Sequence, residues 1–206
     1  MIYGYAGTTL RIDLTSEKVT KEPLKQEWVD DYIGGRGLTA KILYDENPPH
    51  VEPFDENNIF IIATGPLNGH FLPASGKTEF ATKSPATGGY GDSNMGGHFG
   101  VNMKYAGYDV TILKGKAKQP SYIYIDNDTV EIRPAQKYWG KGSYETEEAM
   151  KKELGDDFQE ITIGPAGENL VKFACISHDF GRQAGRIGIG AVLGSKNIKG
   201  IAVRGT

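Results

Sequence analysis

The chain has a single cysteine, Cys175, among its 206 residues. One cysteine cannot form an intrachain disulfide, and it cannot supply the four thiolates that an iron-sulfur cluster takes. The four histidines have no short metal-ligand spacing either, which argues against a zinc site. The apolar, β-rich run at residues 171–177 predicts that Cys175 is a buried thiol in a strand.

The sequence also lacks a long apolar run and an excess of basic residues. No segment approaches the roughly 20 apolar residues that a membrane helix needs, and the N-terminus has no basic region followed by an apolar signal core. The formal net charge is −3, and no basic stripe is interleaved with aromatic residues. We therefore expect a cytoplasmic protein that binds neither membranes nor nucleic acid.

What the chain has in excess is glycine, with 28 residues. Many of them lie in two stretches, residues 84–100 and 179–197. Glycine backbones approach a ligand closely and allow several N–H groups to converge on an anion. A helix that begins near Arg186 would add its positive end. Glycines also serve turns and close packing, so composition alone leaves anion binding and packing about equally open.

Hydrophobic patterning predicts more strands than helices, without regular alternation between them. Such an order is typical of an α+β fold with largely antiparallel sheet and a few short helices. Ser143 is predicted to cap the helix at residues 143–154, with a Glu147/Lys151 pair on its outer face. A hairpin is predicted within residues 9–24; the other predicted strands are residues 59–64, 78–83, 110–114, 121–126, 129–133, 161–163, 170–176 and 198–204, and the helices are residues 26–33, 38–44, 99–105, 143–154 and 187–193.

The sequence contains partial matches to two nucleotide-binding motifs, and both motifs are incomplete. The glycines between Gly188 and Gly194 resemble a dinucleotide fingerprint, yet Arg204 ends the following strand where an acidic residue is needed. Residues 75–78 resemble the end of a phosphate-binding P-loop, but Phe71 stands where its first glycine belongs. A nucleotide-binding module that uses the same loops is the third alternative.

A series of motifs, in order along the chain, resembles the N-terminal domain of the tungsten-containing aldehyde ferredoxin oxidoreductase family. The resemblance extends from Met1 to Thr206 and implies a single domain: a base of two β-sheets that binds a tungsten or molybdenum bis-molybdopterin cofactor. It also implies that further domains, absent here, carry the 4Fe-4S cluster and the catalytic residues. The motifs are residues 34–38 (GGRGL), 65–69 (GPLNG), 83–85 (KSP), 104–109 (KYAGYD), 164–169 (GPAGEN), 184–186 (AGR) and 190–197 (GAVLGSKN).

The resemblance assigns cofactor positions residue by residue. The backbone carbonyls of Asn94 and Gln183 are implied to hold a magnesium ion between the two pterin phosphates, which suits the preference of magnesium for oxygen ligands. Lys77 stands where relatives carry arginine, so it keeps the charge but loses the planar fork. Gln183 replaces a small residue, and its side chain is a candidate to fill pterin space. The implied cofactor-binding residues are Lys77, Asn94, Met95, Gly96, Arg182, Gln183, Ala184 and Gly185.

Two functions of different kinds follow from the sequence. In the first, the chain is the cofactor-binding part of an oxidoreductase that converts aldehydes to carboxylic acids and passes electrons to ferredoxin. In the second, it is a non-catalytic scaffold or small subunit that associates with a partner subunit or a second copy of itself through an exposed apolar surface. The aldehyde, and the choice between tungsten and molybdenum, are left open.

Overall fold

The computed structural model describes residues 3–206, and it forms two six-stranded sheets with helices between and outside them. The helices are α1 (Gln26–Tyr32), α2 (Gly35–Glu46), α3 (Phe99–Tyr105), α4 (Ser143–Leu154), α5 (Pro165–Glu168) and α6 (Ile189–Ser195). The strands are β1 (Thr8–Asp13), β2 (Lys18–Pro23), β3 (Phe60–Ala63), β4 (Thr78–Lys83), β5 (Tyr90–Met95), β6 (Val110–Lys114), β7 (Ser121–Asp126), β8 (Thr129–Pro134), β9 (Gln159–Thr162), β10 (Ile176–His178), β11 (Arg182–Ala184) and β12 (Ile198–Arg204).

Each sheet is mixed, with one parallel pair among antiparallel neighbours. The first sheet has the order β2-β1-β6-β3-β4-β5 and the second the order β11-β10-β9-β12-β7-β8. Only β1 with β6 and β7 with β12 run parallel among the described strands. The predicted α+β fold with two largely antiparallel sheets is therefore confirmed.

Strand alternation places the core between the sheets. In β3, Phe60 and Ile62 face the second sheet, whereas Ile61 and Ala63 face α1 and α2. Because both faces of β3 are covered, its four residues are all buried and apolar. On the far side of the second sheet, Met150 of α4 packs in a separate apolar cluster.

The predicted strand at residues 170–176 is wrong over most of its length. Leu170 has a φ of 58°, and the Ala174 amide donates to the Val171 carbonyl at 2.8 Å, so this apolar run forms turns. Regular pairing begins only at Ile176. Cys175 is therefore neither in a strand nor fully buried, contrary to prediction. Two strands within the glycine-rich stretches, β5 and β11, were not predicted.

Two helix starts also differ from prediction. Gly142, not Ser143, is the N-cap of α4, and its amide donates to the Glu145 carboxylate at 3.0 Å. Glu147 faces the protein interior, where it accepts from the Phe180 amide, rather than pairing on the outer face. The last helix, α6, begins at Ile189, after Gly188 in the left-handed region. None of the helices in the described residues is long and apolar enough to cross a membrane.

Candidate functional site

A cleft of about 930 Å³ lies where the edge strands of the two sheets meet. Four segments line it: the loop and strand entry at residues 69–77, the end of β5 with its following turn at residues 94–98, one face of α3, and the start of β11. These segments are up to about a hundred residues apart in the sequence. The pairing of β4 with β5, and the packing of the β5 edge against the β11 edge, bring them together.

The cleft collects most of the residues predicted to bind a cofactor. Ala184 does not line it, because its side chain is buried in the core between the sheets. Gly185 follows β11 on the surface and does not line the cleft either. The predicted residues that do line it are Lys77, Asn94, Met95, Gly96, Arg182 and Gln183.

Close backbone contact between the first two segments requires glycine at Gly76. A Cβ atom there would lie 2.2 Å from the Gly97 carbonyl oxygen, so no other residue fits without a shift of the backbone. The side-chain amide of Asn68 donates to the Lys77 carbonyl at 2.6 Å and fixes the start of β4. The glycine that resembled part of a P-loop therefore serves strand packing, and a strand rather than a helix follows it.

The cleft is positively charged in a chain of net negative charge. Its lining contains Lys77 and Arg182 and, among the described residues, no aspartate or glutamate. Lys77 Nζ lies 3.4 Å from the neutral Asn94 Oδ1. Arg182 pairs with Asp179 at 3.1 Å, but both side chains are about half exposed, and such pairs contribute only about 0–1 kcal/mol. Both cations are therefore accessible to an anionic ligand.

The Gln183 side chain is hydrogen-bonded within the protein and is not a free group in the cleft. Its Oε1 accepts from Cys175 Sγ at 2.6 Å, and its Nε2 donates to Ser177 Oγ at 2.9 Å. Burial raises the pKa of the Cys175 thiol, so the thiol stays protonated and can donate. These bonds fix the position of the Gln183 side chain. The backbone carbonyl of Gln183 remains the group predicted to bind a metal.

A metal at this site would depend on backbone oxygen atoms. Residues 3–206 contain no cluster of three or more His, Cys, Asp or Glu side chains placed to hold a metal ion. Asn94 and Gln183, the two residues predicted to bind magnesium through their carbonyls, line the same cleft from opposite sheets. Carbonyl oxygens are suitable ligands for magnesium, particularly together with phosphate.

The second glycine-rich stretch is mostly a packing element, and its helix does not face the cleft. A Cβ atom on Gly190 would lie 2.3 Å from the Cys175 carbonyl oxygen, and one on Gly194 would lie 2.1 Å from the Gly167 carbonyl oxygen. The Gly190 amide already donates to the Ala174 carbonyl at 3.0 Å. The expected contribution of a helix N-terminus to anion binding is therefore wrong for α6.

Sequence reasoning missed the apolar wall of the cleft. Residues 69–75 form this wall; Phe71 is fully exposed and Leu72 is half exposed. His70 and His98 also line the cleft. The available signal was a Phe-Leu pair between Gly69 and Pro73, because two adjacent large apolar residues in a loop often mark a contact surface.

Comparison with known proteins identifies the family. The family described as aldehyde ferredoxin oxidoreductase, N-terminal domain, matches residues 9–205. The tungsten-containing aldehyde ferredoxin oxidoreductase of Pyrococcus abyssi is 47% identical over 99% of this chain and 34% of its own length. The WOR-like subunit of an aliphatic sulfonate oxidoreductase from Pyrococcus furiosus is 40% identical over 100% of this chain and 35% of its own length.

A solved structure has the same fold. A chain in the active site complex BamBC of benzoyl coenzyme A reductase, in complex with 1,5 dienoyl-CoA, superposes with a TM-score of 0.97 at 43% identity. The match covers 100% of this chain and 32% of that chain. The present chain thus spans about a third of the length of these relatives. It belongs to the aldehyde ferredoxin oxidoreductase family and corresponds to the N-terminal domain of that family.

Proposed function

We propose that this chain binds a tungsten or molybdenum bis-molybdopterin cofactor in the cleft, as part of an oxidoreductase that converts aldehydes to carboxylic acids. The observation that carries the proposal is the meeting of Lys77 and Arg182 with glycine-rich backbone in one cleft without carboxylates. A cofactor with two phosphates requires cations and close backbone approach of this kind. Relatives named as tungsten-containing enzymes support tungsten as one of the two candidate metals.

The chain's own residues bind and orient the cofactor. Lys77 and Arg182 would neutralise phosphate oxygens, one from each sheet, and so fix the direction of the bound molecule. The Asn94 and Gln183 carbonyls would supply oxygen ligands to a magnesium ion bound with the cofactor. The bound metal supplies the redox chemistry. Ferredoxin is the proposed electron acceptor, and the 4Fe-4S cluster would come from domains or a partner outside these 206 residues. The proposed location is the cytoplasm.

We propose the aldehyde reaction in preference to two other reactions that the names of relatives indicate. A sulfonate oxidoreductase subunit and a benzoyl coenzyme A reductase complex share the fold at 40% and 43% identity. The aldehyde-oxidising relative is the more similar, at 47% identity. Since this domain supplies cofactor binding, its cleft serves each of these reactions equally, and a substrate assay on the complete enzyme decides between them.

Metal and pterin analysis of anaerobically purified protein tests the proposal. The double variant Lys77→Met/Arg182→Met removes both cations of the cleft. Each lost charge-assisted hydrogen bond costs about 1.5–3 kcal/mol, so we expect metal and pterin content to fall at least about tenfold. Lys152→Met, an exposed cation on α4 away from the cleft, is the control and should retain both.

Two outcomes would contradict the proposal. Equal metal and pterin content in wild type and double variant would show that the cofactor does not depend on this cleft. Absence of tungsten, molybdenum and pterin from the wild type would show that the chain does not bind the cofactor at all.

A second function, as a scaffold that pairs through the cleft face, rests on the exposed apolar wall. Phe71 is fully exposed, and Leu67, Leu72 and Tyr105 are each more than half exposed. Such a patch favours association with another polypeptide, either a partner subunit or a second copy. Light scattering would detect self-association, which Phe71→Ser should weaken. A monomer at all concentrations would contradict pairing with itself.

A further inference from the structure

His178 lies directly beneath the cleft and takes no part in the function proposed above. It ends β10, and its side chain is 1% exposed. Its backbone pairs with Arg182 across the β10–β11 hairpin. Its ring contacts the first glycine-rich stretch, so one residue touches both halves of the cleft.

The hydrogen bonds of the ring define a single neutral tautomer. Nδ1 lies 2.7 Å from the Glu160 carbonyl oxygen, which can only accept, so Nδ1 carries the proton. Nε2 lies 3.2 Å from the His98 backbone nitrogen, whose N–H can only donate, so Nε2 is unprotonated. Burial lowers the pKa of His178, which is consistent with a neutral ring. Both nitrogens are thus used in the fold.

Packing holds the ring against the turn after β5. A Cβ atom on Gly97 would lie 2.5 Å from the His178 ring, and the same atom would lie 3.0 Å from Arg182 Cδ. Gly97 has a φ of +117°, a conformation that favours glycine. The Phe99 ring meets the imidazole edge-on, with 6.3 Å between centroids. These contacts leave the ring little freedom to move relative to the turn.

We propose that His178 is a positioning residue, which fastens the turn at residues 96–98 to the β10–β11 hairpin and so sets the separation between the two halves of the cleft. The ring lies below the cleft and does not line it, so its effect on a ligand is indirect. The identity of that ligand rests on the function proposed above. If the ring no longer accepted from His98, Asn94 and Gln183 would lose their fixed separation, and a magnesium ion held by both carbonyls would bind less well.

Three variants and two measurements test this role. His178→Leu removes both ring nitrogens, whereas His178→Gln places a carbonyl oxygen near the position of Nε2, where it can still accept. His50→Asn is the control, because His50 is exposed, lies away from the cleft and has a φ of 63° that asparagine tolerates. The measurements are hydrogen exchange of the His98 amide by NMR, and metal and pterin content of anaerobically purified protein.

We expect His178→Leu to speed exchange of the His98 amide about tenfold, the effect of losing one buried hydrogen bond. Metal and pterin content should fall in the same variant. His178→Gln should restore slow exchange and part of the cofactor content, and His50→Asn should match the wild type in both. If the ring only fills space, His178→Gln should show the same fast exchange and the same loss of cofactor as His178→Leu.

The role is refuted if the His98 amide exchanges equally slowly in a folded His178→Leu variant. Should that variant fail to fold, the ring tautomer of the wild type decides the question by nitrogen-15 NMR. A proton on Nε2 instead of Nδ1 would refute the role, since Nε2 could not then accept from His98. If exchange responds as expected but the wild type contains neither metal nor pterin, the positioning role stands and the proposed function fails.

Discussion

Replacing Glu160 with glutamine should remove the contribution of this one carboxyl to the pH dependence of stability, which falls between about pH 4.5 and pH 7. Glu160 lies on β9 with 2% of its surface exposed, and its Oε1 has no hydrogen-bond partner within the described residues. Burial raises the pKa of this carboxyl from 4.5 to about 7. Lys151, whose Nζ lies 3.3 Å from the carboxylate, opposes the rise, and nearby Glu147 adds to it.

The magnitude follows from the difference in proton affinity between the folded and unfolded chain. A tenfold difference is worth about 1.4 kcal/mol, so a rise from 4.5 to about 7 corresponds to about 3 kcal/mol in the free energy of unfolding. Because the folded pKa is the higher one, the contribution is fully present below pH 4.5. It is lost as the pH rises through about 7, where the folded protein must bury a carboxylate.

Urea unfolding of wild type and Glu160→Gln, at a series of pH values from about 4.5 to 8, measures the effect. The free energy of unfolding of the wild type should fall relative to that of the variant by about 3 kcal/mol over this range. Glu148→Gln, an exposed carboxyl on α4, is the control and should follow the wild type. Parallel curves for wild type and Glu160→Gln would refute the reasoning, because they would show that Glu160 ionises normally in the fold.

Three further changes have expected outcomes. Lys199→Met leaves the Glu168 carboxylate buried without the cation that lies 2.5 Å away, and should lower the free energy of unfolding in urea by about 3–5 kcal/mol; adding Glu168→Gln should recover part of the loss. Gly97→Ala forces a Cβ against the buried imidazole beneath it at a positive φ, and should lower the same quantity by about 1–3 kcal/mol, whereas no loss would contradict the close contact. Cys175 should react with a thiol reagent at neutral pH about tenfold more slowly than free cysteine, and Gln183→Ala should speed the reaction; a rate equal to that of free cysteine would contradict the donated hydrogen bond.

Strands that pack one face on the core were predictable because their side chains alternate. In β1, Leu10 and Ile12 point into the core and Arg11 points away from it, so the hairpin was correct from the sequence. The turn follows from Asp13, whose carboxylate accepts from the amides of Thr15 and Ser16 at 3.0 Å each. Local chemistry of this kind does not depend on distant parts of the chain.

The strands that form the cleft were not predictable in the same way. In β5, buried Gly91 and Ser93 give no apolar signal, yet the strand pairs with β4 over all six residues. A Cβ atom on Gly91 would lie 2.7 Å from Ile187, nearly a hundred residues later. Glycine at this position is therefore required by a tertiary contact. Conversely, the apolar run before Ile176 has the composition of a strand but serves as a turn. Composition could not separate these cases, because the deciding contacts are distant in sequence.

The cleft lies at the sheet edges, and this position explains how a metal could be held without any acidic motif. β5 is an edge strand of the first sheet and β11 an edge strand of the second, and the two pack against each other. An edge strand has backbone N–H and C=O groups that no neighbouring strand uses. Where two edges meet, those groups become available to a ligand from both sides. The atoms that we propose to bind magnesium at Asn94 and Gln183 are backbone atoms of these two edges, so the oxygen ligands that they would supply do not depend on the side chains there.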